Sequence, residues 1–279
     1  MNAERRWMLR VLGGFAAGSA LAGCGAMRPR ERLSFVLVHG AWHGAWCWEK
    51  LVPLLREQGH EVSAVELQGQ GAARLPAEQI NFAVYTKRVT DALDAQRAPA
   101  VLLGHSSGCL AASQAAEKRP EKIRTLVFLS GFVASNGEAH RALVGADPGQ
   151  KVSPVLLVDL RPGTKIPLQT RIDTSKPDAV KLAFYNDCSD ADARAAMARL
   201  VPEPAAPSGQ PLRLSAERFG RVDKVYIHCT RDNAISLARQ REFAAKWPVR
   251  RTVMLDSGHS PFLSMPARLS QALDSELQV

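Results

Sequence analysis

From Leu33 onward, apolar runs of strand length alternate with stretches of helical periodicity. The runs are SFVLVHG, EVSAVEL, PAVLLGH, TLVFLSG, KVYIHCT and RTVMLD. They are rich in Val, Leu and Ile and lack strict apolar–polar alternation. A strand of that kind is buried on both faces, as in a parallel sheet covered by helices. Between the runs the pattern predicts helices over Trp48–Gln58, Asn81–Gln96, Ser107–Arg119, Leu237–Trp247 and Pro266–Leu277. This rhythm predicts an α/β fold: an open, doubly wound, mostly parallel sheet of about six strands. It breaks over residues 133–215, where Pro-Gly turns, scattered apolar residues, a helical patch (Asp190–Leu200) and the proline-rich VPEPAAPSGQP intervene. A long insertion between core strands reads as a cap over a site. The core is therefore expected over residues 33–132 and 216–279.

The N-terminus follows another pattern. Arg5-Arg6 precedes a short apolar run, Val11 to Ala22, that ends in Leu21-Ala22-Gly23-Cys24. The run is too short for a comfortable membrane span and fits an export signal. The arginine pair resembles a twin-arginine signal. The ending resembles the lipobox of bacterial lipoproteins, which are cut before the cysteine and lipidated on it. Residues 1–23 are thus expected to be an export signal, Cys24 the lipidation site and residues 24–32 a tether. The mature protein is expected in the periplasm or cell envelope, touching membrane only through that lipid.

The 279 residues are 46% hydrophobic and carry a formal net charge of +9. The basic residues are dispersed and form no stripe interleaved with aromatics, which argues against a nucleic-acid partner. The other cysteines, Cys47, Cys109, Cys188 and Cys229, have neither C-x-x-C spacing nor histidines at metal-site intervals, so no metal site is expected. Cys109 and Cys229 lie in apolar segments and read as small core residues.

The informative stretch is VLLGHSSGCLAAS, Val101 to Ser113. A strand, then Gly-x-Ser-x-Gly, then a helix is the setting in which a sharp bend throws a serine off the end of a sheet. Close approach of strand and helix leaves no room for side chains at Gly104 and Gly108. Ser106 is the candidate nucleophile. The Ser107 N–H, at the helix start, is a candidate oxyanion donor. A serine needs a base, and the chain order for this bend is serine, acid, histidine. His259, in LDSGHSPFLSMP after the last strand, fits the base. Asp232, after KVYIHCT at the carboxyl edge, fits the acid better than Asp256, which ends the strand before His259. The second oxyanion donor is expected from HGAWHGAWCW, with Ala41 N–H favoured. Gly40, His43 and His105 are expected to line the substrate pocket. Trp42, Trp46 and Trp48 read as core or pocket wall.

These segments resemble the α/β-hydrolase superfamily, and within it the plant methylesterase and hydroxynitrile lyase group with its bacterial esterase relatives. FVLVHGAWHGAWCWEKLVPLLREQGHEV, VLLGHSSG, LVFLSGF, RFGRVDKVYIHCTRDNAI and SGHSPFLSMP carry the likeness, and FYNDCSDADARAAMARL resembles the group's cap. The resemblance implies an α/β-hydrolase fold and a Ser106–Asp232–His259 triad with Ala41 and Ser107 N–H groups as the oxyanion hole. It implies hydrolysis of small to medium carboxylic esters through an acyl-enzyme, with no cofactor. The lyases carry threonine where this chain has Gly40 and lysine where it has Ser260, which disfavours lyase chemistry. The alternatives are other hydrolysis or lyase-type chemistry on the same triad, or a non-catalytic ligand-binding envelope lipoprotein. The sequence carries no signal for oligomeric state.

Overall fold

The computed structural model describes residues 31–68, 74–145 and 147–277. The expected export signal, Cys24 and most of the expected tether lie outside the described residues.

β1 (Ser34–Val38) passes through a 3-10 turn (Ala45–Trp48) into α1 (Leu51–Glu57) and β2 (Glu61–Val65). α2 (Phe82–Asp94) starts where the Asn81 side chain accepts the Val84 N–H, satisfying a backbone donor with no partner inside the helix. β3 (Ala100–His105), α3 (Gly108–Lys118) and β4 (Ile123–Leu129) follow. After β4 come α4 (His140–Val144), β5 (Leu156–Leu160), β6 (Pro167–Ile172), α5 (Pro177–Phe184), α6 (Asp190–Met197), β7 (Glu203–Pro204) and α7 (Ala206–Gly209). The chain then makes a π-helical turn (Ala216–Gly220) into β8 (Lys224–Cys229), α8 (Leu237–Ala244), β9 (Arg251–Leu255), α9 (Pro261–Ser264) and α10 (Pro266–Leu277).

The six apolar runs form one parallel sheet in the order β2-β1-β3-β4-β8-β9. Successive side chains on a strand point to opposite faces, so each central strand feeds two cores. Phe35 and Leu37 join one apolar cluster while Val36 and Val38 join the other, and β3 and β4 divide in the same way. Every residue of β3 is buried. Burial of each Leu or Val of this kind contributes about 1.5–3 kcal/mol. Ala111, Ala112, Ala115 and Ala116 let α3 lie close on the sheet, and Pro120 follows its end.

Residues between β4 and β8 hold a second sheet, β5-β6-β7, antiparallel and three-stranded. The hydrophobic pattern did not anticipate this sheet. Its strands are half-exposed and bounded by prolines, which erases the strand signature. Val155, Val180, Phe184 and Tyr185 nevertheless join the apolar cluster on one face of the main sheet, so this segment shares core with it.

The serine bend is set by crowding. A Cβ on Gly104 would stand 2.7 Å from the Cys109 Cα, and one on Gly108 would stand 2.2 Å from the His39 carbonyl oxygen. Both obstacles are backbone and cannot yield. Cys109 Sγ fills the space that a Cβ on Gly131 would occupy, so the buried thiol and that glycine fit as a pair. The four described cysteines are free and buried. Gly108→Ala is expected to lower stability by about 1–3 kcal/mol through overpacking. Urea denaturation measures this, and an unchanged midpoint would contradict the crowding argument.

Candidate active site

Ser106 follows β3 with φ +52, in the left-handed region that a non-glycine residue adopts only under constraint. The constraint is a set of backbone bonds: its N–H donates to the Leu129 carbonyl (3.2 Å), and its carbonyl accepts from Cys109 and Phe132 N–H (both 3.2 Å). Strand pairing and helix start together hold the bend at the carboxyl edge of the sheet.

Asp232 follows β8 and is buried. Its carboxylate accepts four hydrogen bonds. Oδ1 takes the Ala234 and Ile235 N–H groups (2.6 and 2.9 Å), and Oδ2 takes His259 Nδ1–H (2.7 Å) and the Ser130 hydroxyl. A buried carboxylate with that many donors has one orientation and stays compensated. Asp256 stands elsewhere. Its side chain is 81% exposed and pairs with Arg231 and Thr230. Ser130 was not anticipated. It follows β4 at φ +40, and it meets Asp232 because β4 and β8 are neighbours in the sheet.

Three further contacts fix the loop that carries His259. The buried His105 Nε2–H donates to the His259 carbonyl (2.9 Å), and the Gly258 N–H donates to Asp187 Oδ2 (2.8 Å), which also accepts the Ser264 hydroxyl (2.9 Å). Phe184 packs against the imidazole, with ring centroids 6.0 Å apart. Phe184, Tyr185, Asn186 and Asp187 each touch this region, for Tyr185 OH donates to His43 Nε2 (2.9 Å) and Asn186 Nδ2–H to the Arg231 carbonyl (2.8 Å).

Two imidazoles set the peptides around Ala41. His39 Nδ1–H donates to the Gly40 carbonyl and His43 Nδ1–H to the Ala41 carbonyl, both at 2.8 Å. The first bond orients the peptide that carries the Ala41 N–H. Among the described residues, neither the Ala41 nor the Ser107 N–H donates to another protein group. Trp42 continues the loop at φ +61 and is tied to the β5–β7 segment by its N–H on Glu203, its indole N–H on Thr170 (3.1 Å) and its carbonyl on Val201 N–H (2.9 Å).

Two cavities meet here. One, of about 630 Å³, is lined by Gly40, Ala41, Trp42, Ser107 and mostly apolar residues of the β5–β7 segment. The other, of about 120 Å³, is lined by Ser106, His259, Ala41 and Ser107. Ser106, His259 and both candidate N–H donors thus open on one space. Gly40 is on a wall. His43 and His105 are not: they stand behind it, 2% and 1% exposed, packed against Phe262 and held by the bonds above. Burial pushes His43 down to about 3 and His105 well below the ordinary imidazole range, so both stay neutral.

Residues 35–272 match the alpha/beta hydrolase family. The chain belongs to that family. It is 31% identical over 256 residues to the candidate methylesterase 11, chloroplastic, of Arabidopsis thaliana, covering 87% of this chain and 63% of that one. It is 30% identical over 265 residues to methylesterase 1 of the same plant, covering 86% and 94%. The solved structure of polyneuridine aldehyde esterase superposes with a TM-score of 0.78 at 26% identity, over 88% of this chain and 99% of that one. The chain spans 56–63% of the length of several chloroplastic relatives that it matches.

Asp187→Ala removes the acceptor for Gly258 N–H and the Ser264 hydroxyl. The loop around His259 is expected to exchange its amide hydrogens roughly tenfold faster or more, because its local opening is no longer opposed by those bonds. Hydrogen-exchange mass spectrometry on peptides spanning residues 256–264 measures it. Unchanged exchange would remove Asp187 as the clamp.

Proposed function

We propose that this α/β-hydrolase is a serine carboxylesterase that cleaves small to medium carboxylic esters through an acyl-enzyme. The observation that carries the reading is that His259, bonded to the buried Asp232, opens with Ser106 and two undonated backbone N–H groups on one cavity. The esterase names of the relatives and of the neighbouring structure support it.

Asp232 holds Nδ1–H, which leaves Nε2 of the neutral imidazole as the base. Nε2 takes the proton from Ser106 Oγ as Oγ bonds to the ester carbonyl carbon, and the carbonyl electron pair moves to oxygen. That oxyanion is stabilised by the Ala41 and Ser107 N–H groups, fixed before the reaction begins. The intermediate collapses, the carbon–alkoxy bond breaks, and the leaving oxygen takes the proton from His259. Water then repeats the sequence on the acyl-enzyme, releasing the acid and restoring Ser106. Asp232 stays ionised and stabilises the imidazolium formed in each half. Position 260, where the resembling lyases carry a cation, is a buried serine here, which supports hydrolysis over cyanohydrin cleavage.

Ser106→Ala is expected to lower kcat on nitrophenyl esters by roughly 10⁴-fold or more and to abolish fluorophosphonate labelling, with the fold intact; Asp232→Asn is expected to cost on the order of 10⁴. Labelling that persists in the alanine variant would overturn the assignment. The pH profile gives an independent reading. The active form carries a neutral base, so kcat/KM falls as acid protonates it. Burial holds His43 at about 3, and His140, on the cavity wall, at about 4. These rings stay neutral across the acid limb, and so does His105. A limb with the slope of one proton is therefore expected, and a two-proton slope would show a second histidine in the chemistry.

A further inference from the structure

The two cavities share walls at Ala41, Trp42, Ser107, His140, Val144 and Leu156, but only the smaller one is lined by Ser106 and His259. A carbonyl seated on the Ala41 and Ser107 N–H groups stands at their junction. The leaving oxygen must face His259 to receive its proton, which puts the alcohol in the space of about 120 Å³. The acyl group then extends into the space of about 630 Å³.

That larger space has a particular chemistry. Leu67, Phe82, Leu110, Val158 and Ile166 make it apolar. Two arginines also line it, Arg141 on α4 and Arg161 at the tip of the β5–β6 hairpin. Neither has an acidic partner among the described residues, although other arginines of this segment do: Arg171 pairs with Asp159, and Arg199 with Glu49. The nearby acids are already engaged. Asp159 is held by Arg171 and Gln169. Glu203, also on the cavity wall, accepts from Tyr85 OH, Gln68 Nε2–H and Trp42 N–H, and its burial raises its pKa. Two fork-shaped cations without an acidic partner, on a chamber walled mostly by apolar residues, match a carboxylate at the far end of a hydrocarbon body.

We propose that the preferred substrates are half-esters: esters of a short alcohol with an apolar dicarboxylic acid, whose free carboxylate is bound by Arg141 and Arg161. This rests on the esterase reading above and deepens it. A neutral ester of the same length would fill the apolar space but leave both guanidinium groups to water. The carboxylate adds a charge-assisted contact without changing the reacting centre, so the preference appears in KM more than in kcat.

The test compares monomethyl esters of the straight-chain dicarboxylic acids, adipic to dodecanedioic, with methyl alkanoates of matched length. The enzymes are the wild type and R141Q/R161Q. The expected result is a wild-type preference in kcat/KM for the half-ester at one or more lengths. The anionic-to-neutral ratio should fall about tenfold in the double variant and also in the wild type at high salt. Because the ratio is taken within one enzyme preparation, partial misfolding of the variant cancels. A wild type that prefers the neutral ester at every length, or a ratio that neither the variant nor salt moves, overturns the proposal. Binding to Ser106→Ala protein, followed by calorimetry, reads the arginine pair without turnover, and equal affinity for half-ester and neutral ester also overturns it. Failure of the esterase reading looks different: no nitrophenyl or methyl ester of any charge is hydrolysed, and the fluorophosphonate probe does not label.

Discussion

The contact on which the site depends is a crowded one. The start of α3 lies so close to the ends of β1 and β3 that Gly108 almost touches the His39 carbonyl, and Gly104 the Cys109 backbone. With both neighbours that close, the chain turns with Ser106 at positive φ. The same closeness brings the loop after β1 beside the helix start, so the Ala41 and Ser107 N–H groups share one cavity. The strain at Ser106 is sustained by buried packing on both sides of β3 and by three backbone bonds to the residue. Loosening that contact would disturb the proposed nucleophile and both oxyanion donors together.

The segment between β4 and β8 is more than a roof. It tethers Trp42 through Glu203, Thr170 and Val201, and it clamps the His259 loop through Asp187. This segment is therefore mechanically linked to the two loops that carry Ala41 and His259, the proposed oxyanion donor and base. The Tyr185–His43–Ala41 chain of hydrogen bonds extends the link to the far side of the Ala41 peptide.

Legibility followed burial and sequence distance. The six core strands were readable because strands buried on both faces leave unbroken apolar runs, and Ser106 was readable because two glycines and a strand–helix switch surround it within a few residues. Asp232 and His259 could be ranked because both follow core strands at the carboxyl edge. Ser130 and Asp187 could not be found that way, since each acts on a residue more than 70 positions away through strand order and cap docking. The β5–β7 sheet escaped because half-exposed strands beside prolines look like loop. His43 and His105 were placed one layer too far forward: adjacency in sequence to site residues says nothing about which way a ring points, and both turn into the apolar layer behind the wall.

That layer bears on the chemistry. Three imidazoles, those of His43, His105 and His140, lie near a fourth, His259, that accepts a proton in the proposed mechanism. A positive charge on His43 or His105 would oppose an imidazolium at His259, and the reverse also holds, because the repulsion is mutual. Burial resolves the conflict by keeping the surrounding rings neutral. A neutral ring still has one N–H and one lone pair to use. His105 uses its N–H on the His259 carbonyl, and His43 uses both nitrogens, one on Ala41 and one on Tyr185. The site thereby gains fixed, directional hydrogen bonds around its base without placing a competing cation beside it. A lysine or arginine in either position would supply donors but also a permanent charge, and the proton on His259 would then be harder to hold through the tetrahedral step.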